Sequence, residues 1–383
     1  MNRLKIIADD KIPFLKGVLE PYTNINYLPG AKISADDVKD ADAIFTRTRT
    51  KCDEALLRGS KVKLIATATI GFDHIDTAYC EANNIRWVNA PGCNSASVRQ
   101  YVITAILCFA KENNWELEGK TIGIIGVGNV GSKIAGAAKA LGMNVILNDP
   151  PREEVEGSAM FTPLDELLRK SDIVTCHTPL TKSGPFTTWH LANDDFFRLM
   201  KNNALFINTS RGTVLDSSAL KRAIDEKDIK FILDVWENEP DIDRSLLEKA
   251  YIGTPHIAGY SADGKANGTA ACIRELVSFF KTDFLSTDWF PAEIPPPVME
   301  QDDVVDASSM NIQQIAYSLM THTYPVWEDC QRLRESPEHF EKLRGDYWNR
   351  REPVYYNACL RNGQTQDISN RIKELGFNKV IFK

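Results

Sequence analysis

No Cys-x-x-Cys occurs among the eight cysteines, which lie scattered at 52, 80, 93, 108, 176, 272, 330 and 359. Neither a zinc knuckle nor a dithiol redox centre is therefore signalled, and no metal is expected. Dispersed thiols fit a reducing compartment, so the cytoplasm is the expected location. Basic residues are not in excess: 45 Lys and Arg stand against 52 Asp and Glu, a net charge of −7. That balance favours neither nucleic acid nor an anionic membrane as partner. Long apolar runs are missing too. The longest, 102–110, is broken by Thr104 and falls far short of a membrane span. The first residues, MNRLKIIADDKIPF, put acidic side chains where a secretion signal needs an apolar stretch. What remains is ample material for a core. The 383 residues are 43% hydrophobic and 25% charged, ordinary for a soluble globular chain of two or three domains that needs no disulfide or metal staple.

Short apolar runs over 4–8, 43–46, 64–67 and 86–89, several bounded by Gly, Pro or Asp, read as buried strands of a parallel sheet. The segments between them are long enough for crossover helices. Residues 94–113 are predicted helical, with Val98, Val102, Ala105, Ile106 and Phe109 on one face. A second α/β series starts at Lys120. Its predicted strands are 121–125, 144–148, 172–176, 204–208 and 231–235. Its helices are 129–141, stopped by Gly142, then 164–170, and 217–227 with Asp216 or Ser217 as N-cap. A long helix is predicted over 262–280. Four prolines within 289–298 mark an extended linker. Beyond it, helices are expected around 312–320 and 368–375, with a strand over 379–382.

Gly126-Val-Gly128-Asn-Val-Gly131 follows a predicted strand and opens a predicted helix. In that context the first glycine makes the tight turn, the second admits a pyrophosphate to the backbone, and the third lets helix and strand pack closely. The helix N-terminus offers free N–H groups to the phosphates. Asp149, at the end of the next strand, can accept hydrogen bonds from ribose hydroxyls and would repel a 2′-phosphate, which favours NAD over NADP. Read alone, the glycines could be a turn in another α/β protein and Asp149 a turn cap. Strand, turn, helix, strand and acid in order argue for the nucleotide.

Three further segments each follow a predicted strand: NTSRG with Arg211, DVWENEP with Glu237 and Glu239, and TPHIAGY with His256. At the carboxyl edge of a parallel sheet they supply a guanidinium, a carboxylate and an imidazole. Those are the groups that oxidation of a 2-hydroxy acid requires. An imidazole takes the hydroxyl proton. A carboxylate holds the ring. An arginine grips the substrate carboxylate and fixes the carbon. Singly, each residue is an ordinary loop or structural group; the set in order is not.

The chain resembles the D-isomer-specific 2-hydroxyacid dehydrogenases, which include phosphoglycerate, formate and glycerate dehydrogenases. The likeness covers roughly residues 1 to 285, through TATIGFDHID (67–76), NAPGCNSASVRQYV (89–102), GKTIGIIGVGNVG (119–131), CHTPLT (176–181), INTSRG (207–212), DVWENEP (234–240) and TPHIAGYS (254–261). It implies an α/β fold of two doubly wound lobes: a Rossmann NAD domain (97–263) inserted in a flavodoxin-like substrate domain (1–96 with 264–288), followed by a small α/β domain (289–383). It implies that Arg211 binds the substrate carboxylate, that His256 is the acid/base, and that Glu239, which directly precedes the proline, is its partner. Gly126, Gly128, Gly131 and Asp149 would hold the adenosine half of NAD. Thr178, Thr209, Ser210, Arg211, Asp234 and Gly259 would line its nicotinamide half.

A narrower likeness points to a branch of that family in the vitamin B6 pathway that acts on a phosphorylated 2-hydroxy acid. It rests on NDPPR (148–152), HTPLTKSGPFTTWHL (177–191), HIAGYSADGKANGT (256–269) and, in the tail, LRGDYWNRREP (343–353). It implies that the tail pairs two copies of the chain, and that Thr48, Thr69 and Tyr260 contact substrate. Threonine at 48 replaces a serine usual in that branch and keeps the hydroxyl. A phosphate needs cations. Arg47, after a strand of the first lobe, is the favoured one, while Arg350 and Arg351 are read as a solvated or interface salt bridge. Three alternatives stay open: a phosphoglycerate-type enzyme, a non-enzymatic NAD-sensing protein of the same fold, and a regulatory rather than a pairing role for the tail.

Overall fold

Runs of four or five largely apolar residues, buried on both faces, build the central strands of the two larger sheets. The computed structural model describes residues 3–362 and 365–383. The chain divides into two units, 1–94 with 261–295 and 95–260 with 296–383.

The first unit holds strands β1 (Lys5–Asp9), β2 (Asn24–Leu28), β3 (Ala43–Thr46), β4 (Leu64–Thr67) and β5 (Arg86–Val88) in the order β2-β1-β3-β4-β5. All pairings are parallel. This is the flavodoxin-like order. The central strands β3 and β4 are wholly buried. β2 was not expected: Asn-Ile-Asn-Tyr-Leu alternates like an edge strand and offers no continuous apolar run. The returning helix Ala262–Phe280, capped by Ser261, adds Cys272, Ile273, Leu276 and Val277 to the core. It lies so close to the sheet that a Cβ on Gly268 would come within 2.5 Å of the Ala68 carbonyl oxygen.

The second unit is built on six parallel strands, β6 (Thr121–Ile125), β7 (Asn144–Asn148), β8 (Ile173–Cys176), β9 (Leu205–Asn208), β10 (Lys230–Leu233) and β11 (Ile252–Gly253). Their order is β11-β10-β9-β8-β6-β7. Strand β6 has β7 on one side and β8 on the other. The chain direction therefore switches at its carboxyl end, where open α/β sheets bind ligands.

The tail forms its own small sheet and shares a core with the rest of the second unit. Its helix Ile312–Thr323 packs on helix Ser95–Glu112, and Ile315, Leu319, Tyr324, Val326 and Ile372 join one core with Val102, Ile106, Ile122 and Ile124. Helix Ser95–Glu112 is consequently buried all round from Gln100 to Ala110, instead of on the single face its pattern implied. Gln100 ties it to the tail, donating to Thr323 Oγ1 (3.0 Å) and the Arg351 carbonyl (3.1 Å). Strands β12 (Asp302–Asp306), β13 (Asn357–Arg361) and β14 (Lys379–Phe382) form a parallel three-stranded sheet. Only β14 was legible, because polar ends hide the short apolar centres of the other two. Two tail helices, Val326–Glu335 and Phe340–Gly345, were also unforeseen.

Among the described residues no helix is long and apolar enough to cross a membrane, and no three His, Cys, Asp or Glu side chains cluster as metal ligands.

Candidate active site

The glycine loop joins β6 to helix Asn129–Ala140. Gly126 has φ +84°, and a Cβ there would lie 2.7 Å from the His177 carbonyl oxygen. A Cβ on Gly131 would collide with the Gly126 carbonyl. Gly128 differs: its Cβ would meet nothing within 4 Å. The protein's own packing does not demand glycine there, whereas a pyrophosphate lying against the backbone does. Nearby, the Thr178 hydroxyl oxygen is buried without a partner, a group that a bound ligand would satisfy. The site therefore fits a dinucleotide.

Asp149 serves two structural ends at once. Its Oδ2 accepts from the Val127 N–H (2.8 Å), and its Oδ1 from the Arg152 N–H (3.2 Å), capping helix Pro150–Glu156. Its carboxylate is thus fixed against the glycine loop. Across the loop, His177 bridges Thr175 Oγ1 (2.8 Å) and Thr209 Oγ1 (3.2 Å). Desolvation pushes its pKa down to about 3, so the ring is neutral.

Arg211, Asp234 and His256 follow the adjacent strands β9, β10 and β11. The arginine turn is held by Asn208. Its Oδ1 accepts from the Ser210 N–H (3.0 Å) and hydroxyl (2.7 Å), and its Nδ2 donates to the Arg211 carbonyl (3.0 Å). The Arg211 guanidinium donates to the Ser210 carbonyl (2.8 Å). Only glycine fits at 212, because a Cβ would overlap the Trp236 carbonyl. That close approach seats Arg211 against the DVWENEP segment.

Glu239 is folded back under His256. Its Oε1 accepts from the Trp236 N–H (2.8 Å) and its Oε2 lies 2.8 Å from His256 Nδ1. Burial alone would raise this carboxyl, but His256, the Trp236 N–H and Arg344 outweigh it and hold it below the ordinary glutamate value. His256 itself has φ +57°, a left-handed conformation uncommon outside glycine. The surrounding bonds impose it. The His256 N–H donates to the Asp234 carbonyl (2.8 Å), and the Asp234 side chain accepts from Thr254 Oγ1 (2.7 Å) and from the N–H groups of Ile257 (2.7 Å) and Ala258 (2.9 Å). Both Asp234 oxygens are therefore spent on the histidine loop, and the side chain is buried.

The other face of that loop is held from the tail. Arg350 is completely buried and donates to the Ile257 (3.1 Å) and Ala258 (2.6 Å) carbonyls and to Ser97 Oγ. Its guanidinium lies 4.2 Å from the Tyr324 ring centroid. Arg351 is buried as well, 4.2 Å from the Tyr355 ring. Neither arginine is solvated as one reading of the sequence had it: carbonyls, the Ser97 hydroxyl and ring faces surround Arg350, and Arg351 lies against a ring. Tyr260, after the part-exposed Gly259, packs between Tyr347 (centroids 6.2 Å) and Arg344 (5.4 Å), both from the tail. No local pattern around 344, 347 or 350 announced these contacts.

In the unit of 1–94 with 261–295, Arg47 and Thr48 follow β3 and Thr69 follows β4. Thr67 Oγ1 links them, donating to the Arg47 carbonyl (3.1 Å) and lying 2.8 Å from Thr69 Oγ1. The Arg47 guanidinium reaches the Lys11 carbonyl (3.2 Å), and Thr48 is exposed.

Residues 107–258 match the family model of the D-isomer specific 2-hydroxyacid dehydrogenase NAD binding domain. The chain is 49% identical to an erythronate-4-phosphate dehydrogenase of Bacteroides thetaiotaomicron, over 92% of this chain and 99% of that protein. It is 41% identical to one from Porphyromonas gingivalis, over 98% and 100%. Among solved structures, a D-lactate dehydrogenase from Aquifex aeolicus complexed with NAD and lactic acid matches with TM-score 0.59 and 29% identity, covering 72% of this chain and 95% of that one.

Proposed function

We propose that this chain, which belongs to the erythronate-4-phosphate dehydrogenase family within the D-isomer-specific 2-hydroxyacid dehydrogenases, oxidises 4-phospho-D-erythronate at C2 with NAD. The product is (R)-3-hydroxy-2-oxo-4-phosphooxybutanoate, on the route to pyridoxine 5′-phosphate. The observation that carries this reading is the 2.8 Å pairing of His256 with Glu239, one strand-end away from Arg211.

NAD, when bound, accepts the hydride from C2. The remaining chemistry belongs to the chain. Nδ1 of His256 faces Glu239, which leaves Nε2 to take the C2 hydroxyl proton. Glu239 keeps the ring aimed and offsets the charge it gains. Arg211 binds the C1 carboxylate in a fork and holds C2 in place. Gly126, Gly128, Gly131 and Asp149 seat the adenosine and pyrophosphate. Thr178, Thr209, Ser210, Arg211, Asp234 and Gly259 line the nicotinamide side. Arg47, Thr48, Thr69 and Tyr260 contact the substrate. By function the chain divides into 1–96 with 264–288 for substrate, 97–263 for NAD, and 289–383 for pairing two copies into a homodimer. The site of action is the cytoplasm.

The test is NADH absorbance with 4-phospho-D-erythronate and NAD, comparing wild type with His256→Ala and Arg211→Ala. Turnover by wild type, lost in both variants, supports the reading. No wild-type turnover refutes the substrate, and full activity in either variant refutes the mechanism.

A further inference from the structure

The substrate proposed above carries two anionic ends, and the tail delivers a cation beside the residue expected to touch it. Arg344 sits on the short helix Phe340–Gly345. Phe340 and Leu343 anchor that helix in the core packed on the nucleotide sheet, together with Phe206, Leu220 and Leu246. The helix therefore cannot turn freely, and the Arg344 side chain is only 16% exposed. Its guanidinium carbon lies 5.4 Å from the Tyr260 ring centroid, within cation–π range. Its other charged neighbours are Glu239, the partner of His256, and Glu341. The Glu341 contact is a loose 3.8 Å pair with a glutamate that is 42% exposed, which neutralises little of the charge. The Arg344 Nε is buried without a partner.

We propose that Arg344, seated against Tyr260, is a specificity-determining residue that binds the phosphate end of the substrate. Arg211 then takes the carboxylate and Arg344 the phosphate, so the two guanidiniums fix both ends of the carbon chain. A planar guanidinium, largely desolvated and held by a ring face, is the group best suited to a phosphate dianion. The hydride chemistry of the wider family does not call for this cation; the phosphate does. The inference rests on the proposed substrate.

The test compares 4-phospho-D-erythronate with unphosphorylated D-erythronate in wild type, Arg344→Gln and Arg344→Lys, with NADH binding followed by fluorescence to establish that each variant is folded. The ratio of kcat/KM for the phosphorylated over the unphosphorylated acid should fall about tenfold or more in Arg344→Gln, mainly through KM for the phosphorylated acid. Arg344→Lys should recover part of it. An unchanged ratio, including a case in which both substrates lose activity equally, overturns the inference and leaves the proposed function standing. A wild type that oxidises neither acid overturns both.

Discussion

Glu237 and Glu239 lie two residues apart yet hold different histidines: Glu239 Oε2 meets His256 Nδ1 at 2.8 Å, and Glu237 Oε1 meets His190 Nε2 at 2.8 Å. Glu237 also accepts from the Ser217 N–H with its second oxygen (2.8 Å), at the start of helix Ser217–Lys227. The two carboxylates should separate in mutagenesis. Glu239→Gln is expected to lower kcat about a hundredfold with a small change in KM, because the proton acceptor loses its aim and its counter-charge. Glu237→Gln should leave kcat within about threefold and act on thermal stability instead. Steady-state kinetics and melting curves on both variants check this.

The glycine loop separates packing from ligand binding. Gly131→Ala drives a methyl into the Gly126 carbonyl and should destabilise the fold by about 2 kcal/mol or more. Gly128→Ala meets no protein atom within 4 Å. It should melt like wild type while binding NADH about tenfold more weakly. Equal NADH affinity in Gly128→Ala would remove the pyrophosphate from that turn.

Arg350 locks the histidine loop from behind. Arg350→Met removes a buried cation and its three donated bonds, while the Ile257 carbonyl keeps the Tyr260 N–H and the Ala258 carbonyl keeps the Ser97 hydroxyl, and should cost about 2 kcal/mol of stability. The urea midpoint is the measure. Arg350→Lys keeps the charge but loses the planar guanidinium that lies on the Tyr324 ring, so it should rescue only part of that loss.

His177 contributes to the acid limb of stability. Its ordinary pKa of 6.5 falls to about 3 in the fold through burial. Above pH 6.5 both states are neutral and the group has no effect on the slope. Between 6.5 and 3 the unfolded chain binds the extra proton, so stability is lost as pH falls. His177→Gln should flatten the pH dependence of unfolding free energy by up to one proton, about 1.4 kcal/mol per pH unit. His74, pushed down to about 4 by burial, acts with the same sign. Urea titrations of wild type and His177→Gln at pH 7, 6 and 5 measure the difference.

Strands β3, β4 and β6 were legible to the residue because a buried apolar run writes its own boundaries. Strand β2 was not, since an edge strand keeps polar residues facing water. The pairing of His256 with Glu239 was legible through motif order and through the proline that follows Glu239. The choice of Glu239 over Glu237 depended on resemblance, because spacing alone allows either. The tail was read least well. Whether an arginine is solvated or buried depends on residues hundreds of positions away, as Arg350 on Ser97 shows. The double use of Asp149 and the commitment of both Asp234 oxygens are also three-dimensional facts with no local sign.

Helix Ser95–Glu112 carries a final consequence. With the tail laid along it, no apolar stripe is left facing water between Gln100 and Ala110. A chain cut before residue 296 would uncover the face of Gln100 and Tyr101, which meets Thr323 and Tyr324 of the tail, as it left the ribosome, and would clump or be degraded before it could meet any nucleotide. The tail is thus a condition of solubility for the catalytic half. A minimal dehydrogenase cannot be trimmed from this protein without first repainting that helix with polar side chains.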